Sequence, residues 1–392
     1  MRKDILVTRH NLSFIMSRNT HKSILMIEHV NTYAGGQSQY IEMIEALSSE
    51  GFDIGAMFPK GGKLSDRFFA ANLSVDVFHY FALRLSTGTK NILDVFRILL
   101  NIFFFSFTIL NIRKYEIWHV NGGRVLLPAV FFGFILRRDV IFHAHLNFSP
   151  FSKRFLLYLL EKGFLTKIFC CSDHIRSQLL SYSKNSESRF KITTIENGLP
   201  IWASNLRYDM SRQMSDQKNI AIIGTISSNK GQIVSLDLLK AISDINIYLF
   251  GEPLDSEGAY FNNLLAATQD RLHLMGYVDN IQAALSENSI SVVLVPTTID
   301  EPFGLVAIES IACSCYVITS SVGGLEDISN KVGFPTYTNY IQLVQLISDF
   351  FALPSNQRQE KAQLLHLNVM SQYSYSKFKN NFLKEIAAMC VS

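Results

Sequence analysis

"ISVVLVPTTIDEPFGLVAIESIACSCYVITSS", residues 290–321, holds the unit from which the fold can be read. Its first seven residues are an apolar run that Pro296 stops. "TTIDEP" is a loop, a helix is expected to begin near Phe303 or Gly304, and "CYVITSS" is a second apolar run. Strands joined through a helix return in the same direction, so the segment is one crossover of a parallel sheet.

The same alternation runs outward in both directions. Upstream lie "SILMIEHV" (23–30), a glycine-ended helix "GGQSQYIEMIEALSSEG" (35–51), "DIGAMFP", "EIWHV", "DVIFHAH" and "KIFCCSD". The rhythm breaks at the polar stretch 192–218 and restarts with "IAIIGTIS", "INIYLFGE" and "LHLMGYV". The pattern predicts an α/β protein of two doubly wound domains, 21–199 and 200–373, with a helix near 374–392 packing back on the first. Residues 1–20 read as a loose extension, with no apolar core of a secretory signal.

Composition narrows the class. Hydrophobic residues make up 48% and charged residues 18% of 392, which excludes a disordered chain. A net charge of +3 is too mild for a nucleic-acid binder. Cys170, Cys171, Cys313, Cys315 and Cys390 lack the common zinc spacings and read as reduced thiols, which favours a cytoplasmic protein. Segment 92–112 is apolar and rich in phenylalanine. Asp94, Arg97, Asn101 and Asn111 interrupt it, so it reads as a buried or interface helix and not a span. With Arg113, Lys114, Arg137, Arg138, Lys153 and Arg154 it raises the prospect of peripheral attachment to an anionic membrane.

In doubly wound sheets ligands lie beyond the carboxyl ends of the strands. Residues read there include Gly35, Gly36, His119, His145, Gly224, Gly251, Pro296 to Glu301, Gly323 and Gly324. Gly35 and Gly36 in a strand-to-helix turn can meet a phosphate, although G-x-G-x-x-G is absent, which counts against a nicotinamide cofactor. Lys230, shortly after Gly224 and Thr225, reads as lying at a helix start, where it can pair with a phosphate or be simply solvated. His143 and His145 alternate onto one face, with no acidic third ligand nearby to suggest a metal. At helical rise the eight positions from Glu301 to Glu309 amount to about 12 Å, with Glu301 just before the helix and Glu309 nearly two turns along it. That is too wide for an acid–base pair. It suits a ligand with an anionic centre at the helix start and hydroxyls at both acids.

The ordered set "DEPFGLVAIESIA", "VITSSVGGLEDI", "HAH", "TIENGLP" and "IGTISSNKG" resembles the E-x7-E region and flanking motifs of glycosyltransferase family 4. That resemblance implies the GT-B fold, in which two Rossmann-like domains face each other across a cleft. It implies retaining transfer from a nucleotide diphosphate sugar with no metal and no other cofactor. It assigns Glu301 to the donor sugar, Glu309 to the ribose, Lys230 to the diphosphate and Gly36 to the loop over it. The amides of Phe303, Gly304 and Leu305, after Pro302, approach the sugar and diphosphate, and His145 stands near the reacting sugar. The first domain would bind the acceptor and the second the donor.

Three departures stand out. Thr225 replaces a frequent arginine, which leaves half of the cationic clamp to be supplied by another residue, Arg124 or Lys153. Ala312-Cys313-Ser314-Cys315-Tyr316 replaces A-x-G-x-P, so an altered turn is expected. The first-domain loops, which select the acceptor, match poorly. The expectation is a cytoplasmic hexosyltransferase of surface polysaccharide assembly (O-antigen or capsule), using a UDP-, GDP- or dTDP-linked donor. Its acceptor would be a glycan or polyprenyl-diphosphate-linked chain. The alternatives are a weakened nucleotide-sugar-binding partner of another transferase and a sugar-nucleotide epimerase, against which E-x7-E argues.

Overall fold

The computed structural model describes residues 23–81, 92–209, 217–254, 257–266 and 270–391; the extension expected at 1–20 lies outside them. One compact unit runs to Glu196 and resumes at Ser376, and the other is Asn197–Tyr375.

The first unit is built on β1 (Ser23–Glu28), β2 (Asp53–Pro59), β3 (Asp76–Tyr80), β4 (Ile117–Asn121), β5 (Asp139–Ala144), β6 (Lys167–Cys170) and β7 (Ile192–Thr194). Their order is β3-β2-β1-β4-β5-β6-β7, with each pair parallel. The second unit carries β8 (Lys218–Ile223), β9 (Ile245–Phe250), β10 (Leu272–Gly276), β11 (Val292–Val295), β12 (Tyr316–Ser320) and β13 (Thr336–Tyr337). Their order is β10-β9-β8-β11-β12-β13, again parallel. Central strands such as "SILMIE" and "VVLV" are buried along their whole length, because helices cover both faces of a parallel sheet. In each sheet the order reverses once, between β1 and β4 and between β8 and β11. Such a switch point opens a crevice at the strand ends.

The terminal helix Tyr375–Val391 returns to the first unit. Lys379 pairs with Glu50 at 2.8 Å and Lys167 with Glu385 at 2.9 Å, while buried Phe382 meets the His119 ring edge-on.

Several local expectations change. The helix expected at 303 or 304 begins at Leu305, because Gly304 at φ 129° cannot be helical. Segment 92–112 divides into helices Ile92–Ser106 and Ile109–Ile112. Among the described residues no helix is long and apolar enough to cross a membrane. The stretch 192–218 contains β7 and a short helix, Ile201–Ser204, with 210–216 outside the described residues. His119 lies within β4 and not beyond it. The turn expected to be altered keeps a standard helix ending. Ser314 takes the left-handed φ of 66° that glycine usually supplies, and Cys315 N–H donates to the Ser310 carbonyl.

Candidate active site

The second unit's crevice is assembled from three turns. After β8 the chain passes Gly224 (φ 136°) and exposed Thr225 into a 3-10 turn, Ser228–Lys230, which Gly231 ends at φ 72°. Lys230 therefore sits on a tight turn and not at the start of an α-helix. That turn is docked on the loop after β11: Thr298 N–H and Thr297 Oγ1 both donate to the Asn229 carbonyl at 2.9 Å. A Cβ on Gly231 would stand 2.0 Å from the Pro296 carbonyl oxygen, so only glycine allows this approach. Buried Gln232 closes the turn from inside, donating to the Thr225 carbonyl and accepting from Ser227 N–H.

The docking brings Lys230 Nζ to 2.8 Å from Glu301 Oε2, both side chains being partly exposed. Glu301 is fixed from its other side by the turn after β12. Gly324 N–H donates to the Glu301 carbonyl at 2.7 Å, and a Cβ on Gly323 would come within 2.4 Å of that oxygen. Phe303 is buried edge-on against Tyr373. Pro302 is half-buried beside it, and Leu305, also half-buried, opens the helix Leu305–Ala312.

Glu309 is the fifth residue of that helix, just over one turn in. Among the described residues its carboxylate has no hydrogen-bond partner, and burial pushes its pKa up to about 7. This unit thus carries a lysine, a carboxylate on that lysine, a second unpaired carboxylate and a helix start. Such a set can hold an anion flanked by hydroxyl groups.

The first unit has its own strand-end cluster at the β1/β4 switch. Gly35 begins the helix Gly35–Ser48, and the Gly36 carbonyl accepts from Asn121 Nδ2. A Cβ on Gly36 would lie 3.9 Å from the His145 ring. His145 stacks on His143 with centroids 4.1 Å apart, and His143 Nδ1 lies 3.3 Å from His119 Nε2. Burial lowers the pKa of His145 to about 4 and of His119 to about 3, and drives His143 well down, so the rings are neutral near pH 7. Among the described residues neither nitrogen of His145, both buried, has a hydrogen-bond partner. Among the described residues no three His, Cys, Asp or Glu side chains converge as a metal site.

Sequence reasoning missed Glu28, at the end of β1. Its carboxylate is fully buried, accepts from the amides of His29 and Val30, and takes a further bond from Asn121 Nδ2. His29 Nδ1 lies 3.1 Å from Glu28 Oε1 and 3.0 Å from the Asn121 carbonyl. Two acceptors on one nitrogen require that nitrogen to carry the proton. An acid at the end of a central strand was the available signal, since such a position has a reason to be polar only at a ligand crevice.

Two proteins of Methanocaldococcus jannaschii, both named uncharacterized glycosyltransferases, match in part. MJ1607 is 24% identical over 41% of this chain and 44% of its own length, and MJ1178 is 28% identical over 41% and 42%. The chain thus spans less than half the length of these curated relatives. The crystal structure of Anabaena HepE with UDP and glucose superimposes with a TM-score of 0.77 at 17% identity, covering 94% of this chain and 100% of that one. The chain accordingly has the GT-B fold, and residues 217–352, the greater part of the second unit, match the family described as Glycosyl transferases group 1.

Proposed function

We propose that this protein is a retaining glycosyltransferase that moves one sugar from a nucleotide diphosphate donor to a glycan or polyprenyl-diphosphate-linked acceptor. The observation that carries the reading is the Lys230–Glu301 contact at the β8/β11 switch point, 2.8 Å long and partly exposed. A donor can replace this contact at little cost, its diphosphate taking Lys230 and its sugar hydroxyls taking Glu301. Glu309 then accepts from the ribose, and the amides of Phe303, Gly304 and Leu305 face the sugar and diphosphate. The likeness to HepE, crystallised with UDP and with UDP-glucose, favours a UDP-linked donor.

In this mechanism the acceptor hydroxyl attacks the anomeric carbon on the face that the diphosphate leaves. The bond from that carbon to the phosphate oxygen breaks, and a new carbon–oxygen bond forms. The hydroxyl proton passes to the departing phosphate, and the freed electron pair stays on it. Lys230 and the helix-start amides stabilise the charge that develops there, with no metal in the scheme. The same reading gives Gly35 and Gly36 a role toward a phosphate and neutral His145 a role toward a sugar, each at the strand ends of the first unit's own β1/β4 switch. The setting is surface polysaccharide assembly at the cytoplasmic face of a membrane, with the first unit holding the acceptor.

Thr225, exposed and uncharged beside the lysine turn, favours a second reading as a donor-binding partner with weak turnover. A panel of UDP-, GDP- and dTDP-sugars in EDTA separates the two. The transferase releases nucleoside diphosphate from one donor, and Glu301→Ala abolishes that release. Binding without release selects the second reading, and binding of no donor rejects both.

A further inference from the structure

Leu93, Phe96, Leu99, Phe103, Phe107 and Leu110 recur every three or four residues along helices Ile92–Ser106 and Ile109–Ile112 and the turn between them. Each is more than half exposed, from 55% at Phe103 to 73% at Leu110. At about 100° per residue they fill one face roughly 120° wide. Asn101, Phe105 and Ile112, on the opposite face, are buried. Folding therefore uses one side of this segment and leaves an apolar stripe on the other. A helix that serves only the fold puts polar residues outward.

Phe105 stacks on Phe132 of the helix Leu126–Leu136, with centroids 5.9 Å apart. That helix has exposed apolar residues of its own, Phe131, Phe134 and Ile135.

Charge decides what covers this face. From Ile92 to Asp139 the chain has six basic residues (Arg97, Arg113, Lys114, Arg124, Arg137 and Arg138) against three acids (Asp94, Glu116 and Asp139), and Lys114 pairs with Asp76. Arg113 and Arg137 are exposed, and the Arg138 guanidinium donates to the Arg113 carbonyl at 2.6 Å, so arginines gather where the segment ends. A second copy docked through the same patch would set like charges together. An interface of acyl chains below anionic phosphates satisfies both features, since aromatic side chains enter the boundary layer and guanidinium groups bind the headgroups.

We infer that this face is a monotopic docking surface for an anionic phospholipid membrane, with the two helices lying in the interface plane. The inference names the membrane contact of the proposed function and rests on that reading for its purpose, the delivery of a lipid-linked acceptor.

Sedimentation of the full chain with vesicles tests it and needs no sugar donor, so its failure would leave the transferase reading standing. The protein should sediment with phosphatidylglycerol–phosphatidylethanolamine vesicles at low ionic strength. The double variant Phe103→Ser, Phe107→Ser should lower the partition coefficient about tenfold or more. These side chains are exposed, so the fold is spared. Arg113→Gln with Arg137→Gln should weaken binding to these vesicles and flatten its salt dependence. No sedimentation, or unchanged binding by the double phenylalanine variant, overturns the inference. So does a dimer in solution that the same phenylalanine changes dissociate.

Discussion

Lys230 and Glu301 contact each other where both are partly solvated, and such a pair contributes only about 0–1 kcal/mol to stability. Their value lies in what they can bind. Lys230→Ala should lower nucleoside diphosphate release by about 10²–10³-fold while the unfolding free energy changes by less than about 1 kcal/mol. A large stability loss with turnover intact would make the pair structural. Glu309 behaves differently. Folded, it keeps its proton up to about pH 7, whereas the unfolded chain releases it in the ordinary carboxylate range. Its contribution is fully present below that range and is lost as pH rises through 7. Glu309→Gln should therefore stabilise the second unit by about 1–3 kcal/mol at pH 8 and leave it unchanged at pH 4. The same substitution should weaken donor binding at pH 8. Urea unfolding and donor titration at the two pH values measure both effects.

At the scale of elements, three turns shape the second unit's crevice. The lysine turn is locked by Gly231 under the Pro296 carbonyl, and the Glu301 loop by Gly323 and Gly324. Gly323→Ala places a methyl group 2.4 Å from the Glu301 oxygen at a backbone with φ 56°. It should cost about 2 kcal/mol or more in stability and reduce turnover nearly as far as Glu301→Ala. Donor-release kinetics with a thermal melt check this. A variant that melts earlier but turns over normally would show that the turn does not position the acid. Ser314 makes the converse point. Its left-handed φ keeps the helix ending that glycine would give, and its Oγ accepts from Asp209 N–H, so a changed motif left the turn intact.

At the scale of the whole molecule, the chain crosses from the second unit back to the first to add its last helix. Phe382, fully buried, stacks in line with Phe378 and meets His119. Phe382→Ala should destabilise the first unit by about 3–5 kcal/mol through the cavity it leaves. Calorimetry should show the first unit's transition lowered and the second's unmoved. A common shift of both would mean that the two units unfold as one.

The sequence by itself determined the alternation of strands and helices, the two sheets, and the strand-end positions of Gly36, His145, Gly224 and Glu301. Periodicity and breakers are local, and a parallel sheet makes the strand ends a shared edge. Only the tertiary structure decided which of those ends meet. Lys230 and Glu301 are 71 residues apart, and Asn121 reaches Glu28 across 93. Such pairings depend on strand order and on glycine contacts that no local pattern encodes. The phenylalanines of 92–112 show the same boundary from the other side. Their apolarity was legible, but whether the fold covers Phe103 or Phe105 depends on which face packs, and that is settled only when the neighbouring helix is in place.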